Sequence, residues 1–286
     1  MEIVSFCART DNRMYLGIQS DPQTRDHLTI SRSGLLHPSC SGSACFVVDP
    51  TDPVPIIEFL NKNQLRLELI LNTHHQPDHT HGNQILAETF NAPVYCSEID
   101  RDRIPKVVRG LVDGETIDFH GDQIIVLQTP GHTKGHLTYH LPKSQVGFVG
   151  DLLFSMGCGR LYEGTHLELY ESLQKISHLP KNTRLYFGHE YTTNNSRFAS
   201  HMEPSNQGIH LRQKMMESEC CQRYIRQGFW ISSDPNSDFF HPTIESEMNI
   251  NPFLRLNNPE IRKQIQLDAA SDFEVFTELR KRRDHF

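Results

Sequence analysis

The stretch THHQPDH (residues 73–79) decides the fold, and it follows directly on the apolar run LELILN (residues 67–72), which predicts a strand. Three more potential ligands have the same local setting: QIIVLQTPG leads to His132, VGFVG leads to Asp151, and RLYFG leads to His189. In each case an apolar β-type run and a small-residue turn precede the side chain. We therefore expect four ligand groups at strand ends on one edge of the sheets, where loops held by a rigid scaffold commonly carry active sites.

These residue types favour a metal site over unrelated surface residues. A single histidine after a strand is usually a surface or capping residue, and alone it would indicate little. Four strand-end groups, one of which holds His74, Asp78 and His79 within six residues, are harder to explain in that way. Histidine and aspartate together suit zinc, iron or manganese.

Composition and charge argue against several other classes of protein. The 286-residue chain has 37% hydrophobic and 22% charged residues, as a globular protein does, so a disordered chain is not expected. No stretch approaches the roughly 18 uncharged apolar residues of a membrane span, and the first residues do not resemble a secretory signal. A formal net charge of −7 argues against a general nucleic-acid binder. The seven scattered cysteines, with no CxxC pair, favour a reduced, cytoplasmic protein.

Strand and helix patterns alternate over the first two-thirds of the chain, which predicts an α/β fold with helices covering sheets. The predicted strands are residues 45–49, 67–72, 123–128, 137–140, 146–149 and 184–187, and the predicted helices are 54–61, 83–90 and one around 167–176. After about residue 190 the strand signals end, and helical patterns such as 208–220 and 272–286 follow. We therefore expect a metal-binding domain, 1–190, and a helical domain, 191–286. Residues 20–43 are predicted to be a polar loop or hairpin, and residues 228–251 a long loop.

The chain resembles the metallo-β-lactamase superfamily, whose motif is THxHxDH followed by a later His, Asp and His. More narrowly it is similar to the glyoxalase II (hydroxyacylglutathione hydrolase) family. That narrower resemblance rests on DHTHGN (78–83), TPGHTKGH (129–136), GDLLFSMGCGRLYEGT (150–165), FGHEYTTNNSRFA (187–199), NPFLR (251–255) and LRKRRDHF (279–286). It implies a four-layer αβ/βα metallo-β-lactamase sandwich with a C-terminal helical domain.

The resemblance also implies two adjacent metal ions, taken to be zinc, with iron or manganese as alternatives. The implied ligands are His74 and His132 for the first metal, Asp78, His79 and His189 for the second, and Asp151 as the bridging carboxylate.

Gln76 departs from the pattern, which has histidine at that position. A glutamine carbonyl is a weaker donor for zinc than imidazole, so we expect a first site that is weakly held or a protein with one metal. Pro77 replaces a usual tryptophan and stiffens the loop. His75 and His81 could substitute for the missing histidine, but non-ligand roles are favoured for both.

For the substrate, the resemblance implies contacts to the glutathione carboxylates and backbone from five residues: Arg160, Tyr162, Tyr191, Arg280 and Arg283. Arg280 and Arg283 are spaced i, i+3 and share a face if the tail is helical, and arginine suits carboxylates through its bidentate geometry. The alternative is that basic residues in a last helical turn complement the helix dipole.

The implied reaction is hydrolysis of an S-2-hydroxyacylglutathione, such as S-D-lactoylglutathione, to glutathione and a 2-hydroxy acid, the second step of methylglyoxal detoxification. Asp78 and Asp151 would orient a metal-bound hydroxide that attacks the thioester carbonyl. Two alternatives stay open: a mononuclear-iron glutathione persulfide dioxygenase using His74, His132 and Asp151, and a degenerate paralogue that only binds glutathione conjugates. We expect a monomer that takes a glutathione thioester and has neither nucleic acid nor membrane as a partner.

Overall fold

Two mixed β-sheets pack face to face in the computed structural model, which describes residues 1–19, 41–218, 229–231 and 241–286. The strands of the first sheet are β1 (Glu2–Ala8), β2 (Asn12–Ile18), β3 (Ala44–Val48), β4 (Arg66–Leu71), β5 (Val94–Ser97), β6 (Val107–Leu111) and β14 (Phe229–Ile231), in the order β14-β1-β2-β3-β4-β5-β6. Those of the second are β7 (Thr116–Phe119), β8 (Asp122–Gln128), β9 (Leu137–Leu141), β10 (Val146–Gly150) and β13 (Arg184–Phe187), in the order β13-β10-β9-β8-β7. A small hairpin joins β11 (Leu153–Phe154) to β12 (Gly157–Cys158).

The helices pack on the outer faces of the sheets or on one another. They are α1 (Pro53–Lys62), α2 (Pro77–Thr80), α3 (Asn83–Phe90), α4 (His166–Ser177), α5 (Thr192–Met202), α6 (Gln207–Glu217), α7 (Ile244–Ile250), α8 (Pro259–Ile265) and α9 (Asp272–His285). Short 3-10 helices cover Glu98–Asp100 and Pro252–Leu254. No helix in the described ranges is long and apolar enough to cross a membrane.

Strand β3 shows how the sequence builds the layers. Its residues are all buried, because one face of the sheet meets helices and the other meets the second sheet. Cys45 and Val47 pack into the core with α1 and α3, whereas Phe46 and Val48 pack into the core between the sheets. This alternation is the period of two that a strand imposes on its side chains. The outcome is the predicted four-layer αβ/βα sandwich.

The C-terminal region is largely helical, as predicted, and packs beyond the second sheet. Helix α9 begins at a capping box in which Ser271 and Glu274 satisfy each other's backbone N–H groups. Its buried face carries Val275, Phe276 and Leu279, which join a core with α4 and with the outer side of the second sheet.

The structure corrects one of the two predicted loops. The segment 228–251 was expected to be a loop, but it contains β14 and α7. The apolar residues of β14 pair antiparallel with β1. Helix α7 is capped by Thr243, whose side chain accepts a hydrogen bond from Ser246 N. Short elements of this kind depend on distant partners that a local pattern does not contain. The other predicted loop, 20–43, falls outside the described residues except for 41–43.

The ends of the strands that carry the candidate ligands lie close together. Strands β10 and β13 are parallel, with Gly150 opposite Phe187, so their carboxyl ends coincide. The other sheet reaches the same edge, where Leu137 N donates to Thr73 O (2.8 Å) and Tyr139 Oη donates to Asn72 O (2.7 Å).

Candidate metal centre and substrate cavity

The loops after β4, β8, β10 and β13 bring all six predicted ligand side chains into one cluster. One group of candidate ligand atoms belongs to His74, His132 and Asp151, and another belongs to Asp78, His79 and His189. Within each group the atoms lie within 4.8 Å of one another. The structure therefore gathers the ligand groups at the strand ends on one edge of the sheets, as the sequence predicts.

We call the first group, together with Gln76, the first position. The Oε1 atom of Gln76 lies 3.3 Å from His74 Nε2 and 3.2 Å from His132 Nε2. Asp151 Oδ2 lies 3.7 Å from His132 Nε2. The glutamine side chain thus occupies the place of a third ligand, with its carbonyl oxygen facing both imidazoles.

The second group, the second position, shares Asp151 with the first. His189 Nε2 lies 3.3 Å from His79 Nε2 and 3.4 Å from Asp78 Oδ2. Asp151 Oδ2 is also 3.4 Å from His189 Nε2. Since the same oxygen faces His132, Asp151 lies between the two positions.

The histidines fit divalent metal ions because a hydrogen bond at Nδ1 fixes the orientation of each ring. Their Nδ1 atoms bond to oxygens outside the cluster: His74 to Thr73 Oγ1 (3.0 Å), His79 to Asp49 Oδ2 (3.1 Å), His132 to Arg160 O (2.9 Å) and His189 to Asp11 Oδ1 (2.9 Å). Such bonds fix the ring and leave Nε2 for the metal, as in most histidine-bound metal sites. Asp151 Oδ1 is buried and has no hydrogen-bond donor among the described residues, so an acceptor atom is left for a cation.

A third candidate group, Asp49 with His74 and His79, does not form another site. Asp49 Oδ1 accepts from Thr73 N (2.7 Å), and Asp49 Oδ2 accepts from Thr73 Oγ1 (2.6 Å) and His79 Nδ1. These hydrogen bonds occupy both oxygens of the carboxylate, and they hold the loop after β4 in place.

The pKa values in the cluster show where negative charge is concentrated. Burial alone would lower the pKa of His189, but the carboxylates around it, chiefly Asp151, raise it to about 11. The hydrogen bond from His189 in turn holds the pKa of Asp78 well below its usual range. By contrast, burial lowers the pKa of His74. Carboxylates therefore outweigh burial in setting the pKa of His189 in the second position, whereas burial dominates the pKa of His74 in the first.

Two glycines allow the ligands to approach so closely. Gly150 has a φ of 46°, and a Cβ there would lie 2.5 Å from Thr73 Oγ1 and 2.8 Å from His136 Nε2. At Gly188 a Cβ would overlap the carboxylate of Asp151. The small residues before Asp151 and His189 are thus required by space as well as by the turn.

His136 is a site residue that the sequence reasoning missed. It is fully buried, its Nδ1 lies 2.9 Å from Thr129 Oγ1, and its Nε2 accepts from Asp151 N (3.1 Å). Burial lowers its pKa to about 3, so the ring is neutral and can accept that bond. The available signal was a second histidine in TPGHTKGH, directly before an apolar strand.

A cavity of about 390 Å³ opens onto the cluster. Its lining includes Gln76, Asp78, His132, Asp151 and His189 together with all five predicted substrate residues: Arg160, Tyr162, Tyr191, Arg280 and Arg283. The metal-ligand motifs and the C-terminal motif therefore meet in one cavity.

Three of the predicted substrate residues, Tyr191, Tyr162 and Arg160, lie near the metal ligands and differ in their surroundings. The Tyr191 ring stacks on His189 with centroids 5.0 Å apart and an angle of 2° between the planes. Tyr162 is 72% exposed, and its ring lies 6.2 Å from that of His132. The Arg160 side chain is exposed at the cavity, so it is available to an anionic ligand.

The two arginines of α9 are held in different ways. Arg280 is buried, and its Nη1 donates to Cys158 O (3.0 Å) while its Nη2 donates to Asp284 Oδ1 (2.8 Å). Arg283 is half-buried and donates to Asn195 Oδ1 (3.2 Å). The geometry gives Arg280 a structural task, which is to fix the turn that carries Arg160. Its contact with substrate stays a prediction.

His75 and His81 do not join the described metal-ligand groups. His75 Nδ1 lies 3.3 Å from Asp100 Oδ1, and its Nε2 lies 2.6 Å from Arg103 Nη2. His81 is exposed at the end of α2. Neither fills the place that Gln76 occupies.

Comparison with family models agrees with the fold. Residues 30–189 match the model of the metallo-β-lactamase superfamily, and residues 190–286 match that of the hydroxyacylglutathione hydrolase C-terminus. Among solved structures, BLEG-1 B3 metallo-β-lactamase is 22% identical with a TM-score of 0.56, covering 89% of this chain and 100% of its own. ETHE1 from Myxococcus xanthus is 21% identical with a TM-score of 0.52, covering 96% and 97%. At this identity these structures show the fold alone, which is that of the metallo-β-lactamase superfamily.

Curated relatives narrow the assignment. The hydroxyacylglutathione hydrolase of Mesorhizobium japonicum is 37% identical over 88% of this chain and 93% of its own length. That of Brucella ovis is 36% identical over 100% of this chain and 98% of its own length. The chain belongs to the hydroxyacylglutathione hydrolase family, as its sequence motifs predicted.

Proposed function

We propose that this protein hydrolyses S-2-hydroxyacylglutathione thioesters, such as S-D-lactoylglutathione, to glutathione and a 2-hydroxy acid, the second step of methylglyoxal detoxification. The observation that carries the proposal is the single cavity in which the His–Asp cluster and the arginines of α9 meet. The full-length similarity to curated hydroxyacylglutathione hydrolases supports the same reaction.

The proposed metal ions are zinc. Their proposed ligands are His74, His132 and Asp151 with Gln76 in the first position, and Asp78, His79, His189 and Asp151 in the second. When bound, such ions polarise a carbonyl and lower the pKa of water towards neutrality. Iron and manganese suit the same nitrogen and oxygen donors.

Hydrolysis breaks the C–S bond, adds the oxygen of water to the acyl carbon and leaves a proton for the thiolate. Asp78 and Asp151 line the cavity, so in the proposal they orient the attacking water. Asn12 keeps Asp78 in place through a bond from its Nδ2 to Asp78 Oδ2 (3.2 Å). No serine or cysteine nucleophile is needed, and Cys158 is buried beside Arg280.

Recognition of the thiol half is proposed for the basic side of the cavity. Arg160 and Arg283 offer guanidinium groups to the carboxylates of glutathione, a pairing that charge-assisted hydrogen bonds favour. Tyr162 and Tyr191 line the same cavity, and Arg280 supports the turn that carries Arg160.

All residues of the proposed site come from one chain, so the proposal needs no second subunit and the protein is proposed to act as a monomer. The scattered cysteines of the sequence support a reducing, cytoplasmic compartment. Two domains that divide near residue 190 are part of the proposal, and β14 from the second one pairs with the first sheet.

The test is substrate specificity on one purified preparation, divided into a zinc-loaded portion and an iron-loaded portion. We expect saturable release of thiol from S-D-lactoylglutathione and no oxygen consumption with glutathione persulfide. Oxygen consumption would support the dioxygenase instead. Tight binding of the thioester without turnover, at full metal loading, would support a conjugate-binding paralogue. The similarity of the C-terminal part to the hydrolase family favours neither alternative.

A further inference from the structure

The four candidate metal-binding histidines differ in what lies behind their Nδ1 atoms. In the second position both partners are carboxylates: Asp49 for His79, at 3.1 Å, and Asp11 for His189, at 2.9 Å. We call Asp11 and Asp49 the backing carboxylates. Sequence reasoning assigned neither of them to the site.

In the first position both partners are neutral. His132 Nδ1 faces the backbone oxygen of Arg160, at 2.9 Å. His74 Nδ1 faces Thr73 Oγ1, at 3.0 Å, and the proton of that hydroxyl is already donated to Asp49 Oδ2. The hydroxyl therefore accepts from His74 and brings no negative charge to it.

Backbone hydrogen bonds fix the position of Asp11. It lies in the turn between β1 and β2, where its backbone oxygen accepts from Glu190 N (2.9 Å). The next two residues are fixed as well, since Asn12 forms a β-bridge with His189 and Arg13 N donates to Gly188 O (2.9 Å). The N-terminal hairpin is thus clamped to the loop after β13, and the carboxylate is aimed at one imidazole.

A carboxylate that accepts from a metal-bound histidine raises the basicity of the ligand nitrogen, and its loss typically lowers metal affinity about 10-fold to 100-fold. The second position has this support at both histidines and has two carboxylate ligands, Asp78 and Asp151. The first position has it at neither histidine, and its third ligand is the neutral amide of Gln76. Both differences act in the same direction.

We propose that the protein loads its two metal positions in order, the second before the first, and that Asp11 is the positioning residue that holds His189 for the tighter step. The inference rests on the proposed metal ligands. It goes beyond them because it derives the order from the groups that bond to Nδ1 of each histidine, and it gives a positioning role to Asp11, 178 residues before His189.

The experiment is a zinc titration of chelator-stripped full-length protein against a chromophoric competitor. The natural protein should bind one equivalent at least about 10-fold more tightly than the next. His189→Ala should remove the tight step, and His132→Ala should remove the weak step. Two equal affinities, or loss of the tight step in His132→Ala, would overturn the order.

Variants of Asp11 test its role. Asp11→Asn keeps an acceptor but loses the charge, and it should weaken the tight step about 10-fold while leaving the weak step unchanged; Asp11→Ala should weaken it by up to about 100-fold. Asp11 is partly exposed, with 35% of its side chain accessible, so both variants should fold. Thermal unfolding checks this, because the metal-stripped variants should unfold at the same temperature as the metal-stripped natural protein.

The matched control is Asp52→Asn. Asp52 caps α1 through a bond from Val54 N, and asparagine caps a helix equally well. It should change neither step. An unchanged tight step in both Asp11 variants would contradict the positioning role. If the natural protein bound no zinc at all, the proposed metal site would fail with it, whereas equal affinities with normal thioester hydrolysis would defeat this inference alone.

Discussion

The metal cluster and helix α9 meet in one cavity, but they are built differently. The six ligands of the cluster follow directly on four strands, three of them on β4, so their positions depend mainly on a few neighbouring residues. Arg280, by contrast, reaches the turn at Cys158 from 122 residues further along the chain, and it does so through the packing of a whole helix. The difference separates a chemical centre with local determinants from a recognition surface that depends on the assembled fold.

The largest effect should come from the chemical centre. Asp151→Asn should lower kcat by more than about 100-fold, since even residues behind the ligands cost 10-fold to 100-fold when lost and Asp151 faces both positions. Steady-state hydrolysis and metal analysis measure this together. The matched control is Asp118→Asn, at an exposed site on β7, which should be neutral. Full metal content with normal kcat in Asp151→Asn would remove this residue from the centre.

The next effect tests whether α9 matters through packing. Arg280→Ala should lower the free energy of unfolding by about 2–3 kcal/mol, because it leaves Cys158 O without its buried donor. Denaturant unfolding measures the loss. Lys281→Ala, an exposed neighbour, should change it little. A stable Arg280→Ala protein whose only defect is a raised KM would make Arg280 a substrate contact instead.

A third prediction concerns the departure at Gln76. The purified protein should hold fewer than two metals per chain at micromolar metal, with the second position filled first. Gln76→His should raise affinity at the first position by at least about 10-fold and should raise thioester hydrolysis. Metal per chain and kcat measure the two effects. Full double occupancy in the natural protein, with little change in the variant, would contradict this interpretation of Gln76.

The smallest effect should come from the rim of the cavity. Arg283→Ala should raise KM up to about 10-fold with kcat nearly unchanged, the pattern of lost uniform binding. Arg283→Lys should restore part of the affinity, since it keeps the charge but loses the planar geometry. The control is Arg197→Ala, an exposed arginine on α5 outside the cavity lining. A fall in kcat at unchanged KM would place Arg283 in the chemistry.

The same comparison explains what could be predicted from sequence. His74, His132, Asp151 and His189 could be found because each stands directly after an apolar run and a small turn. Asp11 could not, because its partner is His189, 178 residues away, and the β1–β2 hairpin that carries it has no local sign of that contact.

The burial of Arg280 and the strand β14 escaped prediction for the same physical reason. The spacing of Arg280 and Arg283 indicated a shared face, but only tertiary packing makes one of them buried. Strand β14 has three residues and is stabilised by pairing with β1 rather than by its own pattern. Elements whose stability comes from distant partners are the ones that local periodicity misses.

One measurement tests the central claim most directly: kcat/KM for S-D-lactoylglutathione as zinc is added back to chelator-stripped protein. The account predicts no hydrolysis in the stripped sample and a rise that saturates as the His–Asp cluster fills. Hydrolysis that persists without metal, or none at any metal loading of a folded protein, would contradict it.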